Sequence, residues 1–150
     1  MERQYVTFTL NEEEYGVEIK NVQEITDFDE YTKIPDGPKF LLGMVNIRGT
    51  ITPIIDLKKR FNISRVNGNK EKRVIIINIK DKQIGFLIDD ASRVLRLNDN
   101  QIDNPPDIIS RNIRNYVIGI GKVDEKLILI LDLEKILTAE EKEEALKAVE

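Results

Sequence analysis

The chain of 150 residues contains no cysteine, no histidine and no tryptophan. Without cysteine there is neither a disulfide framework nor a thiolate site, so stability must rest on burial. Without histidine or cysteine no Ser-His-Asp or Cys-His triad can be built. The usual zinc, copper and haem ligand sets are excluded on the same ground. Catalysis would have to use carboxylate pairs, lysine, tyrosine or carboxylate-held magnesium. Charge of one sign is not in great excess either: 27 acidic residues face 23 basic ones, for a net charge of -4. No basic block stands out, and the aromatic residues are few. Both features argue against a protein that tracks nucleic-acid phosphates or stacks bases. Long hydrophobic runs are missing too. The longest, residues 127–131, falls far short of the roughly 20 residues of a membrane helix, so direct membrane insertion is not expected. The first five residues lead straight into an alternating pattern with no apolar leader core, which reads as a cytoplasmic protein.

What is present is a 41% apolar fraction, enough for one ordinary domain or two tightly joined subdomains. The order of that apolar content suggests an internal repeat. Residues 43–61 (GMVNIRGTITPIIDLKKRF) lie over residues 119–137 (GIGKVDEKLILILDLEKIL) at an offset of 76 without a gap. Gly43 meets Gly119, Ile54 meets Ile130, Asp56 meets Asp132 and Lys59 meets Lys135. Residues 5–25 lie over residues 74–94 at an offset of 69, where Gly16 meets Gly85 and Ile19 meets Ile88. The pattern predicts duplicated units of about 4–61 and 73–137, followed by a C-terminal helix over 138–149. Two generic β-meanders that share turn spacing are the alternative.

Each unit opens as a hairpin. Val6, Phe8 and Leu10 alternate with Tyr5, Thr7 and Thr9, which gives one apolar face. Residues 11–14 form a polar turn before Val17 and Ile19 resume the alternation. Residues 74–79 are continuously apolar, as in a strand buried on both faces, with a turn at Asp81-Lys82. Val22 and Ile25 suggest a short bend after the first hairpin. Pro35 to Pro38 is a turn signal, and residues 40–47 show helical or irregular spacing. Residues 49–55 read as a strand that Pro53 places at an edge or bulge. Asp56 and Asp132 each cap a short helical turn, and residues 138–141 (TAEE) form a capping-box start for the last helix. Residues 62–72 and 99–115 are polar connectors. Many short strands with frequent turns predict small β-barrels, two of them sharing an apolar seam that a partner can use.

Residues 43–57 (GMVNIRGTITPIIDL) strongly resemble the signature of the CheW family, in which a Gly-x-x-Asn-x-Arg-Gly turn leads into an apolar strand ending in Asp-Leu. Residues 8–25, 84–97 and 119–137 are similar to the family's first hairpin, central strand and C-terminal strand pair. The resemblance covers about residues 4–140. It implies a mainly β fold of two five-stranded Src-homology-3-like barrels packed together, with short helices and a C-terminal helix. It implies no catalysis, no cofactor and no metal. It also implies two partners: the cytoplasmic hairpin tip of a chemoreceptor and the regulatory domain of the CheA histidine kinase. A paralogue serving another histidine kinase pathway, a nucleic-acid-binding β-barrel and a carboxylate- or metal-dependent enzyme are the rival readings.

By the same resemblance, Val6, Ile19, Val22, Glu24, Ile25, Arg48 and Ala91 would contact the receptor. An apolar patch at the seam could receive a helix face, although Val6 and Ile19 equally suit packed core. Asp124 stands in the second unit where Arg48 stands in the first, so the turn does not itself require arginine, whose planar fork of donors suits a partner. Gly43, Asn46 and Gly49 read as structural turn residues. Ile108 and Ile109, apolar in a polar connector, would contact the kinase or array, or else anchor their loop. Asp56 and Asp132 lie in different units, and capping accounts for both.

Overall fold

The structure, a computed structural model, describes residues 1–64, 73–107 and 115–149, apart from the side chain of Ser92. Eleven strands and two α-helices carry the described fold. Strands β1 (Glu2–Leu10) and β2 (Glu13–Glu18) form the first hairpin. Its turn residues Asn11 and Glu12 both have positive φ, +51° and +71°, as a two-residue type I′ turn requires. A single 3-10 turn at Ile19–Asn21 leads to β3 (Glu24–Asp27). The bend expected near Val22 is therefore followed by a short strand, held by its antiparallel pairing with β6 (Arg73–Ile79).

Residues 40–47, which the sequence suggests are helical or irregular, contain strand β4 (Leu41–Ile47). Leu41, Gly43, Val45 and Ile47 do alternate inward, but Leu42 and Met44 between them are also apolar and half-buried. That second apolar row hides the period of two, and a ladder irregularity between Leu41 and Gly43 disturbs it further. Strand β5 (Thr50–Asp56) lies between β7 (Lys82–Ile88) and β4, so Pro53 is not on an edge strand. It is tolerated because the parallel ladder to β7 starts one residue later, at Ile54, so Pro53 has a ladder neighbour on one side only. In the second hairpin the turn residues are Lys80 and Asp81, one position earlier than the sequence suggests, with φ +52° and +65°.

The chain continues through β8 (Asp90–Asn98), a 3-10 turn at Asp99–Gln101, β9 (Ile102–Asp103), β10 (Val117–Val123) and β11 (Lys126–Leu131). Asp56 caps α1 (Leu57–Arg60) by accepting from the Lys59 backbone N–H at 3.3 Å. Asp132 caps a 3-10 turn by accepting from the Glu134 N–H at 3.1 Å. Thr138 and Glu141 form the reciprocal capping box of α2 (Ala139–Ala148).

Two sheets result, ordered β8-β1-β2-β11-β10-β9 and β3-β6-β7-β5-β4. The pairs β2–β11 and β5–β7 are parallel, and all other neighbours are antiparallel. Exchange β1, β2 for β6, β7, and β3, β4, β5 for β8, β10, β11, and, β9 aside, one order becomes the other. Each sheet thus takes its hairpin from one half of the chain and its remaining main strands from the other half. This correspondence supports the proposal of a duplicated unit.

Three apolar clusters hold the sheets. Tyr5, Leu97, Ile128 and Ile130 fill the inside of the first sheet. Phe28, Val45, Ile47, Ile54, Val74, Ile76 and Leu87 fill the inside of the second. The largest cluster, including Phe8, Ile55, Ile75, Ile77, Phe86 and Leu131, lies in the seam between them. Strand β6 shows why its sequence is continuously apolar: Val74 and Ile76 face their own sheet's interior, while Ile75 and Ile77 face the seam. Ala145 brings α2 onto the seam cluster, so the helix docks through one narrow face. Each sheet curls around its own cluster as a Src-homology-3-like subdomain. Among the described residues no ladder closes either sheet into a full barrel.

Candidate partner-binding site

The β4–β5 turn begins the site. Ile47 pairs with Thr50, and Arg48 and Gly49 between them have φ +52° and +85°. The Asn46 side-chain Oδ1 accepts from the Gly49 N–H at 2.8 Å and so ties the turn from below. Gly43 serves a different need. A Cβ there would lie 2.4 Å from the Thr32 carbonyl oxygen, where Thr32 and Met44 exchange backbone hydrogen bonds of 2.8 and 2.9 Å.

Arg48 sits in a left-handed conformation that β-carbon sterics disfavour. Its guanidinium Nη2 lies 3.2 Å from Glu24 Oε2, with the Arg48 side chain 80% exposed and that of Glu24 16%. The pair joins two opposite edges of the five-stranded sheet, β3 and the β4–β5 turn. Most of the arginine fork remains open to solvent, where it can meet a second carboxylate.

Next to Glu24, Val22 and Ile25 pack onto the seam cluster, and Ala91 reaches it from β8. Ladder pairing sets Ile25 opposite Ile75, Ala91 opposite Phe8 and Val6 opposite Val94. Edge strands β3 and β8 meet through Arg73, whose Nε is 2.7 Å from Asp27 Oδ1 and whose Nη1 is 2.5 Å from Asp90 Oδ1. Hydrogen bonding from Arg73 holds the Asp27 carboxyl below its ordinary value.

The structure brings Val6, Val22, Ile25 and Ala91 to one seam, with Glu24 and Arg48 paired beside it. Val6, only 7% exposed, is a member of the seam cluster itself. Ile19, 37% exposed, stands apart from that cluster. It lines a hollow with Arg3, Lys20 and Arg96 instead. Ile108 and Ile109 lie outside the described residues. Sequence reading missed Val94, 55% exposed and directly opposite Val6. The repeat alignment carried a signal for it, since the offset of 69 sets Val94 over Ile25. It also missed the Arg73 bridge, because pairing across two sheets leaves no local pattern.

The arrangement can bind, by an apolar strip with a charged end. Asp56 and Asp132 are committed to their backbone caps. Among the described residues no group of three or more acidic, histidine or cysteine side chains could hold a metal. No described helix is long and apolar enough to cross a membrane.

Two intertwined Src-homology-3-like sheets that share an apolar seam define a β-rich module of two subdomains. The chain belongs to the CheW-like domain family, whose model matches residues 4–141. It is 37% identical over 139 residues to the chemotaxis protein CheW of Klebsiella aerogenes, covering 93% of this chain and 84% of that one. It is 35% identical over 134 residues to the CheW of Helicobacter pylori, covering 89% and 81%. A solved scaffolding protein, TtCheW from Thermoanaerobacter tengcongensis, superposes with a TM-score of 0.78 at 39% identity, covering 88% of this chain and 90% of that one.

Proposed function

We propose that this chain is a non-catalytic chemotaxis adaptor that couples the cytoplasmic hairpin tip of a chemoreceptor to the regulatory domain of the CheA histidine kinase. Membership of the CheW-like family and the scaffolding description of TtCheW support the general role. The observation that carries the finer reading is the seam strip itself: Val22, Ile25 and Ala91 half-buried against the seam cluster, with Glu24 beside Ile25 and paired to the exposed Arg48. An amphipathic helix face needs such a strip for its apolar residues and a charge at its end to fix its direction. Ile108 and Ile109 remain proposed kinase or array contacts. The adaptor works in the cytoplasm and reaches the membrane face only through its partners.

The test is a pull-down with a receptor cytoplasmic fragment and with the CheA regulatory domain as separate baits. Wild type should bind both. Val22→Asp and Arg48→Asp, if folded, should lose the receptor fragment and keep the kinase domain. Wild-type failure on both baits would refute the coupling role. Equal retention of both baits by both variants would remove the seam strip from the receptor contact.

A further inference from the structure

Away from the seam strip, a hollow of about 520 Å³ lies between the β6–β7 turn and α2. Four lysines surround it: Lys80 and Lys82 from the hairpin, Lys142 and Lys147 from the helix. Among the described residues the acidic side chain on its wall is Glu143, which Lys147 engages at 3.0 Å. The chain as a whole carries a net charge of -4, so four lysines around one hollow run against its overall balance.

The fold does not require these lysines. In the corresponding β1–β2 hairpin, Asn11 takes the place of Lys80 and Glu13 the place of Lys82. The Asn11 side chain also has a local task, donating its Nδ2–H to the Ser64 carbonyl oxygen. Lys80 holds the same left-handed turn position, φ +52°, where Asn, Asp or Gly is the favoured residue. Among the described residues its ammonium has no ion-pair partner. A disfavoured residue type at the rim of a hollow lined by three further lysines, one of them paired with Glu143, is readily explained by an anion that the lysines can reach. Lysine binds phosphate as a compact point charge on a flexible stem. Ile79 and Leu146 give the hollow an apolar floor. Its volume falls within the roughly 300–1,000 Å³ of small-ligand sites.

We propose that this hollow binds a multivalent phosphate. The same chemistry can come from a soluble oligophosphate or from the headgroup of a phospholipid, and two arms of one experiment separate them. Sodium tripolyphosphate is titrated into the full chain at low salt while the backbone amides of residues 80, 82 and 142 are followed by NMR. In parallel the chain is co-sedimented with phosphatidylcholine vesicles that do or do not contain phosphatidylglycerol. Saturable shifts at those amides, weakened about tenfold or more by Lys80→Glu with Lys142→Glu, support the site. Lys39→Glu with Lys59→Glu, at a separate hollow, should leave them unchanged. Lys80→Asn relaxes the turn, so it should unfold at higher temperature and still bind less tightly. Co-sedimentation lost in the same double variant assigns the phosphate to lipid, and tripolyphosphate binding alone assigns it to a soluble ligand. Failure of both arms overturns the proposal. Equal binding by the double variant also overturns it, as does equally tight binding of a polyglutamate peptide of matched charge.

Discussion

The β4–β5 and β10–β11 hairpins hold corresponding places in the two sheets, and their turns differ where it matters. Arg48 and Asp124 have nearly the same backbone, φ +52° and +49°. Aspartate tolerates that left-handed position because its short side chain can bond locally, whereas arginine gains nothing from it. The first sheet therefore accepts strain at a residue whose charge is 80% exposed and reaches Glu24, and the second does not. Equivalent scaffolds with unequal ends separate what the fold needs from what a partner needs. Strain kept at one copy and relieved at the other is the pattern expected of a functional residue.

The largest contrast lies just beyond these hairpins. Lys58 in α1 is 1% exposed and its Nζ lies 2.8 Å from Asp89 Oδ1. Its counterpart at the offset of 76 is Glu134, which is exposed. Removing one partner of a buried pair leaves a charge without compensation. Lys58→Ala should lower the unfolding free energy by about 3–5 kcal/mol, and Glu134→Ala should change it by less than about 0.5 kcal/mol. Urea denaturation measures both. Equal small effects would mean that Lys58 is reached by water and that the halves are energetically alike. Replacing Lys58 and Asp89 together by apolar residues of similar volume should recover most of the loss.

Next come the two glycines that let the sheets curl tightly. A Cβ on Gly85 would stand 2.7 Å from Ile54 Cδ1, and one on Gly16 would stand 3.0 Å from Ile130 Cδ1. Overpacking of this kind costs roughly 1–3 kcal/mol. Gly85→Ala should fall in that range and exceed Gly16→Ala, because Ile76 Cδ1 crowds it as well, at 3.2 Å. A reversed order in thermal unfolding would show that the second subdomain is the more yielding one.

Arg48→Asn is a smaller change and runs in the opposite direction. Relief of the left-handed strain, less the small loss of the solvent-exposed Glu24 pair, should stabilise the chain by up to about 1 kcal/mol, while receptor-fragment binding falls. Asp124→Asn should alter neither. A variant that lost stability together with binding would make Arg48 a structural residue and close the distinction between the hairpins.

How much of this was legible depends on how local each signal is. The first hairpin, both aspartate caps and the capping box of α2 rest on residues within a few positions of one another, and the sequence shows them directly. Strand β4 was hidden by Leu42 and Met44, whose half-buried outer row masks the period of two. Pro53 pointed to an edge or a bulge: β5 is an interior strand, but the ladder irregularity between Leu41 and Gly43 lies right beside the Pro53–Met44 pair. The exchange of strands between sheets is a property of long-range pairing, so alternation alone could not assign Ile25 to Ile75 or Val6 to Val94. At the site, residue types pointed to the Arg48 turn and to the apolar strip. They could not show that Glu24 is the partner of Arg48, nor that Ile19 lies off the strip.

The edge strands provide the smallest test. Arg73 ties β3 to β8 through Asp27 and Asp90, whereas the corresponding position in the first unit, at the offset of 69, is Gln4. Asp27 is exposed, yet Arg73 keeps its carboxyl charged to a pH below the ordinary 3.8. A carboxyl whose pKa is depressed by folding contributes stability above its unfolded value, and that contribution disappears as the pH falls through the depressed one. Wild type should therefore lose slightly more stability than Asp27→Asn on acidification from about pH 5 towards pH 3. Added salt should shrink the gap, because the pair is open to solvent. Unfolding midpoints of the two proteins across that window measure it. Parallel curves would mean that Arg73 spends its charge on Asp90 alone, leaving β3 joined to the seam through Val22 and Ile25 and through its pairing with β6.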